Sequence, residues 1–218
     1  TTTGEIYRIN FAPGSNGAVI YIGSGVSAIG RVSKSTDFGA TWNPTPGYTP
    51  TTAVRGVAFK DADTGYVANG VYTIYKTTNG GQTFTEIGDP GSGVFYDLKL
   101  INDNTIIAVG SRGESYKSTD WGSTWNLFDT KIESTVSSVA VRGSTVMASG
   151  AGGSMAKSTD SGNSWELLST TVTVETIRNI AFVNDLVGYA VGGSSTAGFV
   201  LKTTDGGGKW NKLPYQFD

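Results

Sequence analysis

The sequence contains no cysteine and no histidine. Without thiols there is no disulfide framework, no thiolate nucleophile and no sulfur-ligated metal site; without imidazole, the commonest zinc ligand and the usual base of a catalytic triad are gone as well. Charge is sparse and balanced. The 16 basic and 18 acidic side chains among 218 residues leave a formal charge of -2, so no broad positive field attracts nucleic acid. Long apolar runs are missing too. Stretches such as 18–22 and 198–201 fall far short of the ~20 residues that cross a bilayer, and no membrane insertion is expected. The first residue is a threonine with no signal-like segment after it, a pattern expected of either a processed product or an excerpt, and processing favours export.

Glycine is abundant, with 31 residues, and it punctuates a repeat. KSTDFGATW (34–42), KTTNGGQTF (76–84), KSTDWGSTW (117–125), KSTDSGNSW (157–165) and KTTDGGGKW (202–210) share one pattern, and their acidic or amide residues Asp37, Asn79, Asp120, Asp160 and Asp205 recur every 40–45 residues. Between these segments, β-branched and aromatic residues alternate with small or polar ones, the signature of strands. The second period reads as strands at 54–59, 65–68, 72–77 and 83–87, and the fifth repeats that layout at 177–183, 187–191, 199–203 and 209–213. Four strands per period, five times over, predict an all-β, five-bladed β-propeller filling residues 1–218 as one domain, with blades at about 5–47, 53–88, 93–130, 136–170 and 176–214.

The repeated segment makes sense as the hairpin between the third and fourth strands of each blade. Its Asp or Asn can accept bonds from nearby backbone N–H groups, and the Gly two residues later permits positive φ. The aromatic residues Trp42, Phe84, Trp125, Trp165 and Trp210 are expected to tuck back between sheets as apolar anchors. Each blade is complete in sequence, so closure is expected from packing between blades one and five, with Tyr215 and Phe217 of the tail available to cover an edge.

The pattern Ser/Thr-X-Asp-X-Gly-X-X-Trp resembles the Asp-box, or bacterial neuraminidase repeat, of sialidases and related propellers. The wider blade pattern is similar to propellers related to the photosystem II stability and assembly factor: 54–59 (VRGVAF), 64–68 (TGYVA) and 76–81 (KTTNGG) follow it, as do 177–182, 187–192 and 202–207. That family's ring has seven blades, whereas five repeats are present here. The resemblance implies an arginine-bearing patch at innermost-strand positions, which Arg8, Arg55 and Arg178 would occupy.

Aligning the first strands places Tyr7-Arg8, Arg55-Gly56, Tyr96-Asp97, Ser137-Ser138 and Arg178-Asn179 together at one mouth of the channel, with Arg112 and Glu114 on the same face. Guanidinium groups there suit a carboxylate, phosphate or sulfate; equally, they can bridge blades or pair with Asp97. Phe38 and Trp121 follow the hairpin Asp where other blades carry Gly or Ser, so they are candidates to stack on a sugar or a partner. Asp97 and Glu114 are the carboxyls on that face available for glycoside hydrolysis, and both come from blade three. The Asp-rich turns at 61–63 and 102–104 lack an EF-hand loop, so no metal or other cofactor is expected. The reading is a non-catalytic binding or assembly scaffold for a protein partner or polar ligand. A glycan-binding module of a phage or surface adhesin is the alternative, and a sialidase-like hydrolase the remaining one.

Overall fold

The computed structural model describes residues 4–26, 29–71, 73–88, 93–169, 172–195 and 197–214. The fold is a five-bladed β-propeller, each blade a four-stranded antiparallel sheet of consecutive strands. Blade one is β1 (Glu5–Phe11), β2 (Ile20–Val26), β3 (Ile29–Ser35) and β4 (Asn43–Pro44); blade two is β5 (Val54–Phe59), β6 (Gly65–Asn69), β7 (Ile74–Thr77) and β8 (Thr85–Glu86). Blade three is β9 (Phe95–Leu100), β10 (Ile106–Gly110), β11 (Glu114–Ser118) and β12 (Asn126–Asp129); blade four is β13 (Val136–Arg142), β14 (Thr145–Gly150), β15 (Met155–Ser158) and β16 (Glu166–Leu168). Blade five is β17 (Ile177–Phe182), β18 (Gly188–Gly193), β19 (Gly198–Thr203) and β20 (Asn211–Lys212). A single 3-10 turn, Ala151–Gly153, is the helical content of the described residues. Tyr215 and Phe217 lie outside those residues.

The chain forms two compact units, Thr1–Ala108 with Ser118–Asn126, and Val109–Lys117 with Leu127–Asp218. In the first, β1, β5 and β9 lie side by side. Its core includes Val32, Val54, Val57 and Val67 around Tyr21, whose ring stacks on Phe59 with centroids 3.5 Å apart. In the second, β13 packs beside β17, and Met147, Met155, Ile177, Ile180, Leu201 and Trp210 form the core.

Burial along the second strand of a blade reports whether both faces are covered, because successive side chains point to opposite sides. β6 and β10 are buried at every residue. β18 instead alternates, with Ala190 buried and Tyr189 and Val191 exposed, and on blade one Ile6, Ile9 and Phe11 are exposed.

The repeated hairpins are built as their composition predicts. In blade four, Ser158 Oγ donates to Asp160 Oδ1 at 2.7 Å and accepts from the Gly162 N–H at 2.8 Å, while Asp160 accepts from the backbone N–H and hydroxyl of Ser164 at 2.9 and 2.6 Å. Ser35, Asp37 and Thr41 repeat this in blade one, and Ser118, Asp120 and Thr124 in blade three. In blade two, Asn79 does the same work with its amide. The residue after the acid or amide is left-handed in every blade, including the non-glycines Phe38, Trp121 and Ser161 at φ of 61°, 66° and 61°.

These bonds favour the ionised carboxyl. The hydroxyl of Thr41 chiefly, then its N–H, lowers Asp37 from 3.8 to about 2, and Thr124 does likewise for Asp120. Asp160 and Asp205 are lowered as well. A folded pKa below the unfolded one adds stability above about pH 4, and that stability is lost as the pH falls toward 2. The melting temperature should therefore fall steeply between those limits. A variant carrying Asn at 37, 120, 160 and 205, the solution blade two already uses, should show a flatter acid limb in thermal melts recorded across that range.

The aromatic anchors are less uniform than their repetition predicts. Trp165 and Trp210 are buried, but Trp42 is 37 % exposed and lines a cleft with Ile6, Ile29 and Pro44. The indole N–H of Trp42, Trp125 and Trp210 donates to the carbonyl of the hairpin glycine three residues earlier, so each ring also braces its own turn. The lysine opening each repeat has a role that composition does not reveal. Lys117 donates to the Ser161 carbonyl and Lys157 to the Gly206 carbonyl, each in the next blade, and Lys34 reaches the Ala62 carbonyl of blade two.

Candidate functional site

Each first strand whose register is defined contains one extra residue. The pairing of β1 with β2 skips Tyr7, that of β5 with β6 skips Arg55, that of β13 with β14 skips Ser137, and that of β17 with β18 skips Arg178. Such a bulge turns its own side chain out of the ladder and shifts the following residue onto the opposite face. The two members of each aligned pair therefore do different jobs. Arg55 and Arg178 are bulged residues, whereas Arg8 takes the next position, shared with Gly56, Ser138 and Asn179.

The second members form a polar layer that is buried at Asp97 and Ser138 and open at Asn179. Asp97 is completely buried, with Arg8 Nε and Lys99 Nζ each 3.0 Å from its Oδ1, which also accepts from the Leu98 N–H at 2.9 Å. Arg8 thus links blade one to blade three within the first unit. In the second unit, Ser138 Oγ donates to Asn179 Oδ1 at 3.0 Å. Lys99 was not foreseen as part of this layer, although the two-residue alternation of a strand places it on the same face as Asp97.

The first members stay accessible. Arg55 is half-buried, its guanidinium 4.6 Å from the ring centre of Tyr7 and 5.1 Å from that of Tyr96. Both rings offer their electron-rich faces to the cation. Burial, chiefly, and a hydrogen bond to Glu5 push the Tyr7 phenol above its usual range, despite the opposing pull of Arg55, so it stays neutral at ordinary pH. Among the described residues Arg55 has no hydrogen bond and no carboxylate within ion-pair distance. Its planar fork of five donors is held by stacking and left open for an acceptor.

The remaining candidates each have their own surroundings. Arg178 is exposed in the second unit, its Nη2 3.4 Å from the Gly193 carbonyl oxygen. Arg112 is exposed in the β10–β11 turn, and Glu114 accepts from the Tyr116 hydroxyl at 3.0 Å. Phe38 is 71 % exposed. Trp121 is not the open platform expected of it. It is half-buried, with Lys60 Nζ and Lys76 Nζ 4.7 and 5.1 Å from its ring centre. The Asp-rich turns are occupied by their own backbone: Asp61 Oδ1 accepts from Asp63 and Thr64, and Asn102 Oδ1 from Asn104 and Thr105. Among the described residues no three His, Cys, Asp or Glu side chains gather as metal ligands, and no helix is long and apolar enough to cross a membrane.

No protein-family model and no curated protein matches the chain. Solved structures do. A structure described as YCF48 bound to D1 peptide is 17 % identical, with a TM-score of 0.67 over 97 % of this chain and 81 % of that one. YCF48 from Cyanidioschyzon merolae is 15 % identical, with a TM-score of 0.55 over 98 % and 86 % of the two chains. The GH74 enzyme of Niastella koreensis is 18 % identical with a TM-score of 0.75, but this chain spans only 38 % of that enzyme's length. At these identities the likeness is one of fold, the β-propeller.

Proposed function

We propose that the protein is a non-catalytic binding propeller that holds a carboxylate-bearing stretch of a polypeptide at Arg55. The observation that carries this is the guanidinium stacked between Tyr7 and Tyr96 with no acid partner among the described residues. A cation already immobilised and partly shielded from water loses little entropy on binding, and hydrogen bonds between ionised groups are the stronger kind. Tyr7 and Tyr96 add aromatic surface of the sort that anchors peptide contacts. One fold neighbour is described with a bound peptide, which supports a polypeptide as the ligand. A hydrolytic role for Asp97 is disfavoured by its burial, since its carboxyl is inaccessible and engaged by two cations and a backbone N–H.

The test is a synthetic peptide array varying acidic residues and free or amidated carboxyl termini. The native protein should select peptides by their carboxylates, and Arg55→Met should bind them at least about tenfold more weakly with an unchanged melting temperature. Selection indifferent to carboxylates, or equal binding by Arg55→Met, would overturn the reading.

A further inference from the structure

Blade two contains two hydrogen-bond donors that lack the acceptor their counterparts share. In blade one, Tyr21 and Lys34 are cross-strand partners, and both donate to the Ala62 carbonyl in the turn after β5, at 2.8 and 3.2 Å. By strand register, Tyr66 and Lys76 are the same pair in blade two. The turn they should meet is the one after β9, where Asn102 accepts from Asn104 and Thr105 as Asp61 does from Asp63 and Thr64. Neither reaches it. The Tyr66 hydroxyl is buried without a partner, and Lys76 Nζ makes no hydrogen bond or ion pair among the described residues. One side chain accounts for this. Gly80 and Trp121 are equivalent, since their N–H groups donate to the Asp63 and Asn104 carbonyls. A Cβ at Gly80 would lie 2.6 Å from Lys34 Nζ, so that lysine runs through space that only a glycine leaves free. Trp121 has the Cβ and an indole besides, and Lys76 lies over the ring instead.

Lys60 brings a second ammonium group to the same ring. Its Nζ and that of Lys76 lie 4.7 and 5.1 Å from the ring centre of Trp121, and Lys60 Nζ likewise makes no hydrogen bond or ion pair among the described residues. The neighbouring carboxylate, Asp61, directs Oδ1 to the N–H groups of its own turn. Beside the ring is a cleft of about 340 Å3 lined by Lys76, Ile87, Gly88, Trp121, Gly122 and Ser123. A cleft of this size takes a small ligand, and its unpaired charge is of one sign. We propose that it binds a sugar carrying a sulfate or phosphate ester. The ester oxygens accept charge-assisted hydrogen bonds from Lys76 and Lys60, with the Tyr66 hydroxyl as the deepest donor, while the C–H face of the sugar lies against the indole and Ile87. Two ammonium groups near one ring repel each other, and the anion relieves that repulsion. Arg55 stands near the start of β5 and Lys60 just past its end, so this site is separate from the peptide contact.

Titration with glucose 6-sulfate or glucose 6-phosphate, followed by the indole N–H resonances, should shift the resonance that is missing from Trp121→Gly. Lys76→Met and Lys60→Met should each weaken binding by about tenfold or more, the effect of losing one charge-assisted hydrogen bond. Trp121→Gly should bind neither ester and melt no lower than the native protein, because Lys76 and Tyr66 then regain a carbonyl as Lys34 and Tyr21 do. If that variant melts lower, the two lysine variants decide, since neither ammonium group supports a hydrogen bond within the described fold. Uncharged glucose should not bind, and inorganic sulfate or phosphate should bind at least about tenfold more weakly than the matching ester. Arg55→Met should bind both esters as the native protein does, and Lys76→Met should keep the selection of carboxylate peptides, so the failure of one site is distinguishable from that of the other. Equal affinity for an inorganic ion and its ester, a phosphoserine peptide preferred to both sugar esters, or unchanged binding by Lys76→Met would overturn the inference.

Discussion

Replacing Asp97 with alanine should cost about 3–5 kcal/mol of folding stability, read as a lower urea midpoint, because it leaves a cation buried without its counter-charge. The carboxylate is wholly inaccessible and meets Arg8 and Lys99 at 3.0 Å each. Lys99 is the more exposed of the two and can turn toward water. Arg8 cannot do so as readily, and the Leu98 N–H also loses its acceptor. Asp97→Asn restores an acceptor but not the charge, so it should recover only part of the loss. Removing both charges, as in Arg8→Met with Asp97→Leu, should be milder than Asp97→Ala alone, since a buried pair replaced by apolar groups avoids the desolvation penalty. A loss below about 1 kcal/mol for Asp97→Ala would mean that the pair is screened like a surface ion pair.

Gly113→Ala should be comparably severe, at about 4 kcal/mol. Gly113 sits at φ 76° in the β10–β11 turn, where a Cβ would lie 1.6 Å from the Ile132 carbonyl oxygen. The obstacle is backbone, and it cannot swing aside as a side chain can. The turn is pinned besides, because the N–H and hydroxyl of Thr130 both donate to the Gly113 carbonyl. Overpacking of this kind costs about 1–3 kcal/mol, and the left-handed backbone adds about 1 kcal/mol for a residue with a Cβ. Gly143 is the control. Its φ is 58°, yet a Cβ there meets nothing within 4 Å, so Gly143→Ala should cost only the conformational part, about 1 kcal/mol. Equal losses at the two positions would show that the Ile132 contact yields.

The hairpins and the blades were legible in the sequence because their causes are local. A hydroxyl two residues before an acid, a glycine two after it and an aromatic beyond form a turn through bonds spanning at most four residues, and Ser158, Asp160, Gly162 and Ser164 make them. Alternation over a few residues likewise places β5 at Val54–Phe59. Arg55 was visible as a candidate, but its separation from Arg8 was not. Which residue of a strand is bulged depends on the partner strand, so Tyr7 rather than Arg8 takes the bulged position in β1. Lys76 and Lys117 open equivalent repeats, yet one lies over the Trp121 ring and the other donates to Ser161. The difference is set by a side chain in the next blade.

By itself, the sequence determined the number of repeats, the strand pattern within each and the chemistry of the turns. Tertiary structure alone decided which charges are paired and which equivalent residues are covered. Tyr66 and Tyr189 are written alike in sequence, but Tyr66 is buried and Tyr189 exposed. Burial belongs to the packing around a residue as much as to the residue itself, and a local pattern does not encode that packing.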